Sequence, residues 1–378
     1  MGIYFIDYEY NMTIVIQNIE FDLHQFLFKE VKLTEKYASL SFASDFLTLW
    51  ISGGKQFEMT TSGSTGVPKK IILKRKWLET SALQTINLLS LWDEKVFCCI
   101  PSYKIGGLMM IIRALAGGFD INIVEPSANP MLLLPDNHDY SFISLVPYQL
   151  SKILEDELST SKLNRFKKVL LGGANLNQNL LYLIETLDPV IYHTYGMTET
   201  CSHIALKKLN HGKMPHFKPN PDVDFKIDFT GLLSVKGFQT GNEWVNTHDI
   251  IYMYEDGTFD FLGRNDFVIN SGGYKLFPEI LEFKIGTIFK ECGLESELMI
   301  TSLEQNELGE QVVLIVDNSV IQTEETLLNL LRPRLEKYEL PKLVLKFSPF
   351  PLNEGGKYDR KAMKAILIKW QTEGLENL

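Results

Sequence analysis

Several kinds of protein are excluded by what this sequence lacks. Only four cysteines occur in 378 residues (Cys98, Cys99, Cys201 and Cys292), and none forms a C-x-x-C pair. So large a chain with so few cysteines is no disulfide scaffold, and the spacing does not suit a structural zinc site. Cys98 and Cys99 sit in the apolar run Val96-Phe97-Cys98-Cys99-Ile100 and read as part of a buried strand in a reducing compartment. No uncharged apolar stretch reaches the roughly 18 residues of a membrane-crossing helix. The opening residues Met1-Gly2-Ile3-Tyr4-Phe5-Ile6-Asp7 lack the basic region of a secretory signal, so the cytoplasm is the default location. Positive charge is scarce: 37 Lys and Arg stand against 47 Asp and Glu, a net charge of −10. That argues against a general nucleic-acid binder, which needs a basic surface. It leaves room for a nucleotide cofactor, because one cleft needs only a few placed donors. Internal repeats and low-complexity tracts are also missing.

What is present is ordinary for a soluble enzyme: 45% apolar and 22% charged residues. The length exceeds what one core usually covers, and two domains are expected. Helix-like apolar spacing marks residues 34–50. A polar, glycine-rich stretch follows at 60–70, then a strand over 70–73 and a helix over 75–91. Strands at 96–100, 121–124, 141–146, 168–171 and 190–195 alternate with helices at 107–115, 148–158 and 178–187. Such alternation implies βαβ units and a largely parallel sheet, with ligands at the carboxyl ends of its strands. Over 215–262 the texture becomes one of short alternating runs and turns, which reads as antiparallel β structure. An α+β region follows, with helices at 278–289 and 324–337 and strands at 297–302, 311–316 and 343–347. The expected fold class is therefore α/β: a large N-terminal domain of βαβ units plus a β-rich subdomain, residues 1–264, then a small α+β C-terminal domain, 265–378.

Five segments carry chemistry. In Thr60-Thr61-Ser62-Gly63-Ser64-Thr65-Gly66-Val67-Pro68-Lys69-Lys70, hydroxyls and glycines suit a loop wrapped on a phosphate chain, with Lys69 adding charge. It is not a Walker A loop, because no Ser or Thr follows the lysine; a flexible polar turn is the plain alternative. In Tyr195-Gly196-Met197-Thr198-Glu199, at a strand end, the carboxylate suits Mg²⁺ and the ring suits a purine; the alternative is an exposed loop. Asp249 and the Gly263-Arg264-Asn265-Asp266 segment offer a carboxylate and a guanidinium for the two hydroxyls of a ribose, or a surface ion pair of little energetic weight. The last segment, Pro351-Leu352-Asn353-Glu354-Gly355-Gly356-Lys357, places a lysine on a glycine-flanked loop; it either reaches a site or is a solvated charge.

Taken together and in order, these motifs resemble the AMP-forming acyl-CoA synthetase superfamily, over Thr60 to Lys357. The resemblance implies that Thr61, Ser62, Gly63, Ser64, Thr65, Gly66 and Lys69 cradle pyrophosphate, and that Gly172-Gly173-Ala174 lies along the adenine. It implies that Tyr195, Gly196 and Met197 flank the nucleotide, that Thr198 and Glu199 are catalytic with Glu199 holding Mg²⁺, and that Asp249 and Arg264 bind the ribose. Lys357 would bond the acid and the α-phosphate, Asp266 would be the hinge of the small domain, and Ser271-Gly272-Gly273 would border the CoA channel. ATP, Mg²⁺ and CoA are the implied cofactors, and the partners are small molecules; a homodimer is compatible with the sequence and not required by it.

Within the superfamily, the run Tyr195-Gly196-Met197-Thr198-Glu199-Thr200-Cys201-Ser202 is similar to o-succinylbenzoate–CoA ligases of menaquinone biosynthesis, as is Ile269-Asn270-Ser271-Gly272-Gly273. The segment Pro101-Ser102-Tyr103-Lys104-Ile105-Gly106-Gly107 matches that family's P-x-x-H-x-x-G in frame, and nine residues after its fourth position stands Arg113. The resemblance implies that Lys104, Gly107 and Arg113 face the acid, with Arg113 meeting a second substrate carboxylate; the plain alternative is an arginine snorkelling at a helix edge. The chain departs from the family in having Lys104 where histidine is usual and a shorter stretch ahead of the phosphate loop, which implies a trimmed N-terminal subdomain. A ligase for another aryl or acyl acid, or one that loads a carrier protein, is the alternative function.

Overall fold

The computed structural model describes residues 12–16, 19–22, 38–61, 69–294, 296–305, 309–352 and 358–373. Its largest sheet contains β1 (Ile14–Ile16), β2 (Ile19–Phe21), β5 (Val96–Cys98), β6 (Ile121–Ile123), β7 (Phe142–Leu145), β8 (Lys168–Leu171), β9 (Val190–Met197), β10 (Ser202–Lys208) and β11 (Lys218–Pro219), in the order β11-β10-β9-β8-β7-β5-β6-β1-β2. The six strands from β9 to β1 run parallel. The strands β5, β6 and β7 have every residue buried, which is why they read as continuous apolar runs without alternation. Cys98 and Cys99 are fully buried, as the apolar run predicts.

Helices cover both faces of this sheet. On one side lie α1 (Ala38–Ile51), α2 (Arg75–Leu89) and α3 (Ile105–Gly117), packed through Trp50, Leu78 and Ile112. On the other lie α4 (Pro147–Leu154), α5 (Glu157–Leu163) and α6 (Gln178–Ile184), packed through Leu150, Leu163 and Ile184. The single helix expected over 148–158 is two, because Asp156 accepts from the Ser159 amide at 2.8 Å and caps a new start.

The sequence also hid a reversal at one edge. Beyond Met197 the chain turns through the short 3₁₀ segment Thr198–Thr200 and returns as β10, antiparallel to β9. A two-stranded ribbon of β3 (Gln56–Thr61) and β4 (Lys69–Lys74) packs its β4 strand against that turn. The expected antiparallel region is a four-stranded meander of β12 (Val223–Ile227), β13 (Leu232–Gly237), β14 (Val245–Met253) and β15 (Phe259–Arg264).

The last region centres on β18 (Leu298–Gln305) and β19 (Gly309–Val316), joined by β16 (Ile269–Ser271), β17 (Tyr274–Leu276) and β20 (Leu343–Lys346). Alternate residues divide its sheet between two cores. Ile300 and Leu314 face α7 (Pro278–Glu291) and α8 (Glu324–Leu331), while Met299 and Val313 face α9 (Arg360–Glu373). The helix expected to reach 337 ends at Leu331, two residues before Pro333, which has no amide hydrogen to continue it. Helix α9 was not anticipated. Its Arg360 is locked by two 2.6 Å bonds to Glu282 and one of 2.9 Å to the Ile300 carbonyl. Among the described residues no helix is long and apolar enough to cross a membrane.

Candidate active site

The predicted phosphate loop has its ends fixed even though Ser62, Gly63, Ser64, Thr65 and Gly66 lie outside the described residues. Thr61 closes β3 and pairs with Lys69, which opens β4, so β3 and β4 form an antiparallel hairpin base. The contact of β4 with Thr198–Thr200 brings the base of this hairpin to the carboxyl end of β9. Thr200 Oγ1 fixes the turn, accepting from the Met197 amide at 3.0 Å and donating to the Ser202 carbonyl at 2.7 Å. Glu199 sits half-buried on this turn. Among the described residues no three metal-ligating side chains cluster. A lone carboxylate fits Mg²⁺, which is usually held by one or two carboxylates together with substrate phosphates.

The best-defined constellation joins two sheets. Tyr195, on β9, donates from its hydroxyl to Asp249 Oδ2 at 2.7 Å, and Arg264 Nη1 donates to Asp249 Oδ1 at 3.0 Å. Asp249 and Arg264 are directly paired residues of β14 and β15. Their side chains are 13% and 30% exposed, so the surface ion pair is the wrong description. Burial pushes the Asp249 carboxyl up, against the opposing effects of the Tyr195 hydroxyl and Arg264. Burial, followed by the Asp249 charge, pushes the Tyr195 phenol well above its usual range. Each Asp249 oxygen keeps a second lone pair, so the group can still accept from vicinal hydroxyls. Arg264 Nη2 also reaches Asp266 at 3.3 Å, which ties the expected hinge residue to this pair.

Gly172-Gly173-Ala174 follows β8 at its carboxyl end, and the Ala174 carbonyl accepts from His193 Nε2 at 3.2 Å. Burial pushes His193 down to about 4. Gly272 and Gly273 have φ of 58° and 86° and form the two-residue turn between β16 and β17. Both positions need the left-handed region that glycine enters without penalty, so the turn itself accounts for them. Lys357 lies outside the described residues.

On the acid side, Lys104 immediately precedes α3, makes no side-chain bond to its first turn, and holds its ammonium 5.6 Å from the Tyr103 ring. Gly107 is packed on the preceding loop: a Cβ there would stand 2.3 Å from the Pro101 carbonyl oxygen. Its glycine therefore serves backbone packing. Arg113 does not snorkel. It is 1% exposed, within a helix that buries every residue from Gly107 to Ala116. No carboxylate pairs with it among the described residues. Nη2 donates to Ser202 Oγ at 3.4 Å and to His203 Nδ1 at 3.3 Å, Nη1 lies 3.9 Å from Met110 Sδ, and Nε has no partner. Burial pulls the guanidinium down to about 9. Sequence reasoning missed His203 and Ser202 as neighbours of this arginine, and Thr85 as the partner of His203. The available signal was the arginine itself: in so apolar a helix, it demands acceptors from elsewhere.

His203 is 3% exposed, and burial, then the Arg113 charge, holds its imidazole well below the usual range. A histidine kept neutral in the fold but free to protonate in the unfolded chain supplies stability above about pH 6.5 that is lost progressively on acidification. Urea unfolding at pH 7 and pH 5 should show a loss from this residue of about 1–2 kcal/mol. A His203→Asn chain should be less acid-sensitive by that amount, and equal slopes in the two chains would refute the assignment.

A half-buried carboxylate on a strand-end turn, the base of the β3–β4 ribbon and the Tyr195–Asp249–Arg264 group thus meet at one end of a parallel sheet. The AMP-binding enzyme family matches residues 57–254, more than half of the chain. The chain belongs to the AMP-binding enzyme family. A 2-succinylbenzoate–CoA ligase from Staphylococcus aureus is 28% identical over 330 residues, covering 81% of this chain and 66% of its own. The chain thus spans just under two thirds of the length of the curated relatives it matches. The crystal structure of an acyl-CoA synthetase (AMP-forming)/AMP-acid ligase II-like protein from Dyadobacter fermentans is 33% identical, with a TM-score of 0.59, over 90% of this chain and 97% of that one. The o-succinylbenzoate CoA synthetase from Bacillus subtilis, solved with its acyl-adenylate intermediate, shares the fold at a TM-score of 0.69 and 22% identity, over 81% of this chain and 68% of that one.

Proposed function

We propose that this protein is an ATP- and Mg²⁺-dependent acid–thiol ligase that activates o-succinylbenzoate as its acyl-adenylate and transfers the acyl group to CoA. The observation that carries the nucleotide half is the Tyr195–Asp249–Arg264 group beside the Glu199 turn. The observation that carries the acid half is a buried guanidinium with unmet donors, the partner a second substrate carboxylate needs. The names of the relatives support both halves: one is a 2-succinylbenzoate–CoA ligase, and the Bacillus subtilis synthetase has been solved with ATP and a magnesium ion.

In the first step a carboxylate oxygen of the acid attacks the α-phosphorus, the bond to the bridging oxygen breaks, and pyrophosphate leaves. The attack brings anions together, so the protein's task is to hold positive groups where charge develops. Thr61, Ser62, Gly63, Ser64, Thr65, Gly66 and Lys69 serve the departing phosphates, and Thr198 and Glu199 the reacting end, where Mg²⁺ would neutralise phosphate charge. Gly172-Gly173-Ala174, Tyr195, Gly196 and Met197 frame the base; Asp249 and Arg264 take the ribose; Lys357 reaches acid and α-phosphate. In the second step the CoA thiol, losing its proton, attacks the acyl carbon and AMP leaves. The domain division falls at 264/265, and rotation about Asp266 exchanges Lys357 for Ser271-Gly272-Gly273 between the steps.

Pyrophosphate release over a panel of acids, with and without CoA, tests this. Release should require o-succinylbenzoate, ATP and Mg²⁺, and Glu199→Gln and Lys357→Ala should each slow it by about a hundredfold, the usual loss for one electrostatic donor. Equal turnover of acetate, benzoate and fatty acids with none of the diacid would refute the substrate. Adenylation with thioester formed only on a carrier protein would move the acceptor from CoA to that protein.

A further inference from the structure

The surroundings of Arg113 decide which way its donors face, and they involve a histidine to which no function is assigned. Thr85 Oγ1 donates its one hydrogen to the Ser81 carbonyl at 3.0 Å and lies 3.2 Å from His203 Nε2. Having given its proton away, the hydroxyl can only accept, so Nε2 carries the ring hydrogen. The other side of the ring requires the same tautomer. Arg113 has only donors, and Nη2–H at 3.3 Å needs a lone pair on Nδ1. Two independent neighbours therefore fix one neutral form of His203.

The backbone makes this possible by departing from regular strand geometry. In a regular strand, consecutive side chains point to opposite faces. Ser202 and His203 are consecutive, yet both bond the same Nη2. The chain achieves this with positive φ at Cys201 (51°) and Ser202 (85°) and a register shift between His203 and Ala205. Left-handed backbone at two successive non-glycine residues is costly and is retained chiefly where a site needs it. The bonds formed are long, and Nε has none, so the described residues leave the guanidinium under-coordinated.

We propose that His203, held by Thr85 as the Nε2-protonated neutral imidazole, is the positioning residue that aims Arg113 and, with Ser202, sets the preference for an acid bearing a second carboxylate. This rests on Arg113 being the acid-binding group proposed above. The neutral ring accepts one guanidinium hydrogen and offers no negative charge, so it orients Arg113 without competing as a counter-ion. The positive charge remains for a dicarboxylate substrate, whose second carboxylate completes the charge-assisted bonds that the long contacts leave unmade.

The test compares o-succinylbenzoate with two mono-acids that keep the reacting carboxylate and lack the second, by steady-state pyrophosphate release from the full chain. For His203→Leu, KM for the diacid should rise about tenfold with kcat changed less than about threefold, while both mono-acids keep their parent KM. His203→Asn, whose amide oxygen can stand near the Nδ1 position, should bring the diacid KM back to within about threefold of the parent. Thr85→Val, which removes the acceptor fixing the tautomer, should raise the diacid KM selectively. Should the Leu chain fail to fold, the Asn and Val chains decide. A parent-like diacid KM in Thr85→Val, or an equal loss for diacid and mono-acids in any of the chains, overturns the positioning role. Arg113→Met separates the two levels. If it abolishes diacid preference while the His203 and Thr85 variants leave it intact, the acid-site assignment stands and the positioning role fails. If Arg113→Met keeps the preference, the acid-site assignment itself is wrong.

Discussion

Replacing Asp249 by alanine should lower kcat/KM for ATP by about a hundredfold, with a far smaller effect on KM for the acid. The carboxylate bonds both Tyr195 and Arg264, at 2.7 and 3.0 Å. Bonds to a charged group are worth about 1.5–3 kcal/mol each, and two vicinal hydroxyls that lose such a partner forfeit on the order of 3 kcal/mol. At about 1.4 kcal/mol per tenfold, that is two orders of magnitude. Stability should suffer less. Arg264 keeps the Thr247 carbonyl at 3.0 Å and Asp266 at 3.3 Å, so among the described residues it is the Tyr195 hydroxyl that loses its charged partner, at a cost of about 1 kcal/mol. Asp249→Asn should fall between the two chains, since its amide oxygen can accept from one neighbour but its NH₂ faces the other. Pyrophosphate exchange at varied ATP, with thermal unfolding of the same samples, checks this. An ATP kcat/KM within about threefold of the parent would remove the ribose role from Asp249.

The parallel sheet was readable because its central strands are buried on both faces and so appear as short apolar runs separated by helical spacing. The meander was readable because its strands alternate. The return strand β10 was not, since Ser202–Lys208 carries no turn signal ahead of it: the reversal is made by Thr200 and two residues in left-handed conformation, none of them glycine. The helix from Glu157 was lost for a similar reason, because a cap such as Asp156 looks like any surface aspartate until the Ser159 amide that donates to it is seen.

The site divides along the same line. Asp249 and Arg264 were singled out from sequence, and their direct cross-strand pairing follows from the hairpin between them. The Tyr195–Asp249 bond was invisible, since 54 residues separate the partners and the bond joins two different sheets. Arg113 was found but its setting was not. Whether an arginine in an apolar helix reaches solvent depends on what packs over it, and here β10 does so from 90 residues away. Gly107 was singled out for the acid and proves to be required by the Pro101 carbonyl. Local spacing thus identifies chemistry-bearing residues, but their burial is decided by segments distant in sequence.

Arg113→Met should stabilise the protein while destroying its preference for a diacid. A guanidinium buried without a counter-ion is dehydrated at a cost of several kcal/mol that its long bonds to neutral groups do not recover. The apolar residues of α3 carry it: each fully buried Leu, Ile or Met contributes about 1.5–3 kcal/mol, and the helix has Leu108, Met109, Met110, Ile111, Ile112 and Leu115 in that state. Methionine is unbranched, nearly fills the arginine stem's volume and needs no acceptor. It leaves His203 Nδ1 unsatisfied, at about 1–3 kcal/mol, so the net gain is a modest ~1–2 kcal/mol. In a domain of this size that raises the thermal midpoint by about 2–4 °C. Against this, kcat/KM for o-succinylbenzoate should fall by about a hundredfold, two charge-assisted bonds being lost, while acids with one carboxylate are turned over as before. Calorimetry beside a two-substrate assay reads both effects. A structural arginine would give the opposite pair, a lower midpoint with unchanged discrimination. A higher midpoint with lost discrimination is the signature of a charge kept at a stability cost for the ligand it receives.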